Sequence, residues 1–317
     1  MKKNILLLQF CIIPLISSSQ IVKPFNLKDF EGKKIVSLFK STTELKGSYP
    51  GLSATPTNQY HTVNRYLIFQ NDKNNSIIKK VVSRVNIGIE NMANFEKQEF
   101  DTDRKFDRSM EATMVYGKYD KSINKPYVTV YNNQNKRIDT LSNFKDDNFY
   151  FDIAWGDDML PFLQEDLLGI FQISLPKTGW QIGQSWNQVI QRKTGMVTKN
   201  ETITNTYTVK SINNDEVILE IRGINIPEQV MYKMSHGYVG NTLKDNKIVN
   251  KNEKINYTIE QKADYEGTIK LNMKNNMVLK MAIKTNSFKR IHTKDNPTEG
   301  PESSIEVTIE NTLEDLK

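Results

Sequence analysis

The residue types best suited to proton transfer or metal binding near neutral pH are scarce in this chain. There are three histidines, His61, His236 and His292, and no two of them stand at ligand spacing. No His-Glu-x-x-His, no cysteine pair and no Gly-x-Ser-x-Gly occurs, so neither a zinc protease pattern nor a nucleophile elbow is present. Asp101-x-Asp103 followed by Lys105 and Asp107 is like the opening of a calcium loop. Lys105 stands where a further oxygen ligand is needed, and Phe106 where the turn needs glycine. The pairs Asp146-Asp147 and Asp157-Asp158 are neighbours in sequence, which does not set two carboxylates across a cleft as glycoside hydrolysis requires. Met231, Met234, Met273, Met277 and Met281 would suit a soft metal, but no cysteine or histidine set accompanies them, and core filling is the reading they support. The residues therefore predict no catalytic group, no metal ligand and no cofactor. They leave ligand-binding residues unassigned.

The elements around these residues are organised about Leu175-Pro-Lys-Thr-Gly-Trp-Gln-Ile-Gly-Gln-Ser-Trp186. Pro176 fixes one backbone angle and ends what precedes it. Gly179 and Gly183 are free to take positive φ and so to make two tight bends. Trp180 and Trp186 each bring a large apolar surface. The stretch reads as a structural corner that plugs a β core, the alternative being an aromatic platform for a ligand.

The first residues are an address. Lys2 and Lys3 precede an apolar run from Ile5 to Ile16, and Ser17-Ser18-Ser19 supplies small residues, so cleavage is expected near Ser19. The run is too short to span a bilayer, and no later stretch has the length of a spanning helix. The single cysteine, Cys11, lies inside this run behind bulky Phe10, which favours a plain secretory signal over a lipid anchor. Export to the periplasm or the medium follows, with a mature chain that has no disulfide. The formal charge of +6 is reduced when Lys2 and Lys3 leave, and the remaining charges are interspersed with no basic stripe, which argues against nucleic acid as a partner.

Beyond Gln20–Lys33, a linker or short lead-in, the chain alternates like antiparallel strands with one wet face. Lys34–Lys40 is a first strand. Four hairpins turn on asparagine pairs, asparagine being the non-glycine residue that best tolerates the left-handed region. Tyr60–Gln70 returns as Ser76–Met92, and Tyr127–Tyr131 returns as Lys136–Leu141. Ile203–Ser211 faces Asp215–Gly223. Matching apolar faces there predicts Val209 opposite Val217 and a three-residue loop Ile212-Asn213-Asn214. In the fourth, Met273 is expected opposite Met277 around Lys274-Asn275-Asn276. Asn214 and Asn276 would be the left-handed residues. Further strands are expected at Ile255–Gln261 and Ile305–Ile309. Phe95–Phe106 fits strand or loop, and Ser48–Asn58 and Thr293–Ser304 read as loops.

One segment departs from this rhythm. Asp158–Phe171 sets Met159, Leu163, Leu167 and Ile170 at helical spacing, with Asp157 or Asp158 as cap and Pro161 in the first turn. The expected fold is mainly β, with antiparallel, strongly curved sheets forming an open barrel or two-lobed sandwich and one amphipathic helix near the middle. The expected organisation is a signal peptide at 1–19, a β half at 20–156, a connecting helix at 157–174 and a second β half at 175–317.

Leu175-Pro176 leading to Gly183-x-Ser185-Trp186, Phe100-Asp101-Thr102 after a strand, and Tyr265-x-Gly267 before an alternating strand together resemble an uncharacterised family of secreted β-rich bacterial proteins. The resemblance spans most of the mature chain. It implies no assigned activity and transfers no catalytic residue. In architecture alone, the chain is distantly similar to the half-barrels of lipoprotein carriers, in which helices cover a curved sheet. The function expected from these readings is a non-enzymatic exported protein that does not span the membrane and holds a lipid or other apolar small molecule beneath the helix. The alternative is a structural or protein-interaction module of the envelope.

Overall fold

Polar–apolar alternation sets the strands, and they run longer than the alternation alone marks out. The computed structural model describes residues 26–46, 57–72, 74–91, 97–110, 113, 117–121, 123–134, 137–140, 173, 175, 176, 178–192, 201–227, 230–234, 243, 244, 247, 248, 255–293 and 297–316. Its strands are β1 (Lys33–Lys46), β2 (Thr57–Asp72), β3 (Asn75–Asn91), β4 (Lys97–Asp101), β5 (Tyr127–Tyr131), β6 (Arg137–Thr140), β7 (Ser185–Arg192) and β8 (Glu201–Asn213). They continue with β9 (Glu216–Pro227), β10 (Val230–Met234), β11 (Leu243–Lys244), β12 (Lys247–Ile248), β13 (Ile255–Asn272), β14 (Val278–Thr293) and β15 (Pro297–Asp315).

Thirteen strands form one sheet in the order β6-β5-β3-β2-β1-β15-β14-β13-β9-β8-β7, with β4 added to β3 and β10 to β13. Every pairing is antiparallel. Among the described residues the path does not close, so the sheet is open. The mainly β, antiparallel expectation therefore holds. The two halves share this sheet because β1, from the first, pairs with β15, from the end of the chain. The expected helix, Asp158–Phe171, and Asp146-Asp147 and Asp157-Asp158 with it, lie outside the described residues; of the connecting segment 157–174 only Ile173 is described, and it is neither helix nor strand.

The hairpins fall where the asparagines predict, but two registers differ. In the third, Val209 faces Leu219, not Val217, because a bulge between Val209 and Ser211 absorbs one residue. That bulge keeps the apolar faces matched across a two-residue turn, Asn214-Asp215, which straight strands would not allow. In the fourth, Leu271 faces Val278 and the register shifts between Lys270 and Leu271, so Met273 does not face Met277. Asn214 and Asn276 do take positive φ, 51° and 56°. The two hairpin tips are tied together by the Met273 N–H donating to the Asp215 carbonyl at 2.7 Å. Pro297–Ser304, expected as part of a loop, is the start of β15. Its pairing along β14 extends the sheet there.

The face made by alternate residues of these strands is a packed core. Phe39, Val63, Leu67, Ile203, Leu219, Ile221, Ile269 and Met281 are fully buried within one cluster. The lead-in is part of it and not a linker. A 3-10 turn at Leu27–Phe30, capped by Asn26 Oδ1 accepting from the Lys28 N–H, buries Leu27 and Phe30, and Phe30 packs on Phe69 at 5.2 Å. The opposite face is wet and laced with cross-strand ion pairs such as Lys280–Glu310, Lys284–Glu306 and Lys270–Glu216.

Candidate functional site

The residues singled out from sequence are mostly built into the scaffold. Gly179 and Gly183 take φ of 88° and 82°, and the bends they permit bring Trp180 back into the core at 2 % exposure. Trp180 meets Trp186 edge-on at 6.2 Å, and Trp186 stacks on Tyr207 at 5.5 Å. The stretch is thus a corner that holds β7 against β8.

Asp101 is the hub of a charged cluster. Its carboxylate, 3 % exposed, accepts from Arg84, Arg104, Asn86 and the Asp103 N–H. Burial would raise this carboxyl. Arg84, the Asp103 N–H and Arg104 outweigh burial and bring it down to about 2. Arg108 donates to the Asp101 carbonyl, clasps Asp120 with two bonds at 2.7 and 2.9 Å, and lies over the Phe100 ring. Such a saturated set fixes the β4 connection. It holds no unpaired acid or base poised to react. Among the described residues no group of acids and histidines could hold a metal ion.

His61 lies on the buried face at 4 % exposure, directly opposite Ser41 on β1. Its Nε2 is 2.6 Å from Gln59 Nε2, while His61 Nδ1 and Ser41 Oγ have no hydrogen-bond partner. The pair is therefore not an activated serine–histidine dyad, which needs the two side chains hydrogen-bonded. Burial drives the His61 pKa down to about 4 from 6.5, so the ring is neutral in the folded protein. The unfolded chain binds the extra proton between those values, so stability is complete above pH 6.5 and declines as pH falls toward 4. Urea unfolding at pH 7.5 and 4.5 should show a loss of about 2.5 kcal/mol from this group, and H61Q should remove that part of the slope. An equal slope in H61Q would refute the assignment.

Among the described residues, a constellation open to solvent crosses the wet face. Directly opposed residues make a single row over eight strands: Tyr60, Thr42, Glu306, Lys284, Glu266, Arg222, Thr206 and Asn187. At about 4.8 Å per strand this row is about 34 Å long. Three hollows lie along it, of about 450, 450 and 580 Å³, and Lys284 lines all three. Glu266 is shared by the first two, and Glu306 by the first and third. Together they form one trough.

Two glycines beneath it account for the depth. A Cβ on Gly267 would overlap the Ala282 carbonyl oxygen and come within 2.8 Å of Ile283 Cα, and a Cβ on Gly223 would overlap the Tyr265 ring. The strands are pinched at these positions, and the hollows lie over them. Tyr265 is in turn held by its hydroxyl donating to Asn205 Oδ1. The chain continues as Asn205 Nδ2 donating to the Tyr207 hydroxyl at 3.2 Å and that hydroxyl to Gln188 Oε1 at 2.9 Å. Sequence reasoning noted Tyr265-x-Gly267, one floor element, but missed the trough. Each strand contributes only one residue to its row.

No family model matches the chain, and no curated protein matches it. Among solved structures it is similar to the outer membrane protein opdK of Pseudomonas aeruginosa, with 6% identity, 89% of this chain and 99% of that one covered, and a TM-score of 0.22. An outer membrane channel of Pseudomonas putida F1 gives 6% identity, 92% and 100% coverage and a TM-score of 0.21. OprD of Pseudomonas aeruginosa gives 6% identity, 93% and 97% coverage and a TM-score of 0.23.

The expectation that the chain does not span a membrane is withdrawn on this finding. Among the described residues no helix is long and apolar enough to cross, but these neighbours are outer membrane proteins, a class that crosses with strands. At such TM-scores the likeness assigns the chain neither a channel nor a closed barrel. The apolar ligand was expected beneath the helix at 158–171, which lies outside the described residues. Among the described residues the buried face is a packed core, and these three hollows open on the charged face.

Proposed function

We propose that this is an exported, non-enzymatic binding module of the bacterial envelope that holds an extended polar partner in the trough across its wet face. One observation carries the reading: three adjoining hollows that share Lys284 and follow a single row of opposed residues from Tyr60 to Thr206, over seven strands. A groove of that length suits a polymer better than a small molecule, whose sites are compact and deep. The signal segment supports export, and the saturated Asp101 and Asp120 clusters support binding over catalysis. The same reading keeps the chain with the secreted β-rich family whose short motifs it resembles.

Thr308 lines the first hollow, while Thr312 is exposed on the same face of β15 four residues further along the strand, outside the three hollows. A photoreactive residue placed at Thr308 in cells should yield a discrete crosslinked adduct, and one placed at Thr312 should not. Equal labelling from both positions, or no adduct from Thr308, would overturn the proposal.

A further inference from the structure

We infer that the partner held in the trough is a cationic, extended peptide segment whose ammonium or guanidinium groups are taken by Glu266 and Glu90; this rests on the binding role proposed for the trough. The lining carries six carboxylates, Glu44, Glu90, Glu220, Asp264, Glu266 and Glu306, against three cations, Lys210, Lys284 and Arg222. The chain as a whole is basic, at +6, so the trough is opposite in sign to the protein that bears it.

The cations are already engaged. Lys284 pairs with Glu306 at 3.1 Å, and Lys210 and Arg222 both pair with Glu220. Glu266 stands in the row between Lys284 and Arg222, yet it has no ion-pair or hydrogen-bond partner among the described residues. It is exposed where the first two hollows meet, and Glu90, also without a partner among the described residues, lines the third. Five strand spacings separate the strands that carry them, about 24 Å, which an extended peptide of about seven residues spans. A like-charged or anionic polymer would meet the surplus carboxylates, and a neutral glycan would leave them unused.

The test uses the full mature protein and a fluorescent peptide of alternating lysine and glycine, about ten residues long. Its binding is read by anisotropy, with an alternating glutamate and glycine peptide and a linear neutral oligosaccharide as the other arms. The basic peptide should bind alone among the three and weaken with salt. E266K should weaken it about tenfold, while E302K, the same charge change on an exposed residue of β15 outside these hollows, should change it less than about twofold. Equal effects of the two variants would overturn the inference, as would preference for the acidic peptide or the oligosaccharide. Thermal unfolding of both variants keeps a folding defect from standing in for lost binding. An adduct from Thr308 without binding of the basic peptide would overturn this inference and leave the trough reading in place. Failure of both would remove the two together.

Discussion

G267V should fail to reach the native sheet, with a loss above about 4 kcal/mol that appears as insoluble or protease-sensitive protein. The reason is where the added atoms would go. Gly267 faces Ile283 on one side and Ile221 on the other, in the middle of the sheet. The Cβ would overlap a backbone carbonyl, that of Ala282, and not the end of a flexible side chain. Two strands would have to separate, breaking ladder hydrogen bonds on both sides of β13. G267A should cost less than valine but still be destabilising, because the first added carbon already meets the backbone. A control at Gly32, which has φ of 68° and no atom within 4 Å of a built Cβ, separates crowding from backbone strain. Near-native stability of G267V in urea unfolding would show that the pinch under the trough is not rigid.

W180A should cost about 4 kcal/mol. Trp180 is among the largest fully buried side chains, and it packs on Trp186, which stacks on Tyr207. Its removal opens a cavity at the corner that holds β7, so the loss includes both the apolar transfer and the void. W180F should recover part of this. Because the Trp180 Nε1 has no hydrogen-bond partner, the phenyl ring sacrifices no polar contact. A loss below about 1 kcal/mol for W180A would mean that the corner is not part of the core and would reopen the aromatic-platform reading.

These effects show which parts of the molecule can be read from residue order. The hairpins were legible because asparagine at Asn214 and Asn276 marks a left-handed turn and the flanking residues alternate. Their registers were not, because a bulge beside Lys210 and another in the β13–β14 pairing each shift the count by one, and a bulge leaves no mark in polarity. Leu27 and Phe30 read as a lead-in because two apolar residues make no period, yet both are in the core. The membrane expectation rested on a search for helices alone, and such a search says nothing of strands. The Asp101 hub was seen as a set of acids: Arg104 stands beside them in sequence, but Arg84 comes from β3, which only the fold brings near.

The trough was the least legible feature. Its floor row takes one residue from each strand, so Thr42 and Glu306 lie side by side across most of the sequence. Only the antiparallel registers bring them together, and those are what the bulges conceal.

The most direct measurement is carbodiimide labelling of Glu266 in the native envelope and in the purified protein, read by mass spectrometry with exposed Glu302 as reference. A trough occupied by its partner predicts that Glu266 is protected in the envelope and becomes reactive on purification, while Glu302 is labelled alike in both. Equal labelling of Glu266 in the two preparations would contradict the account.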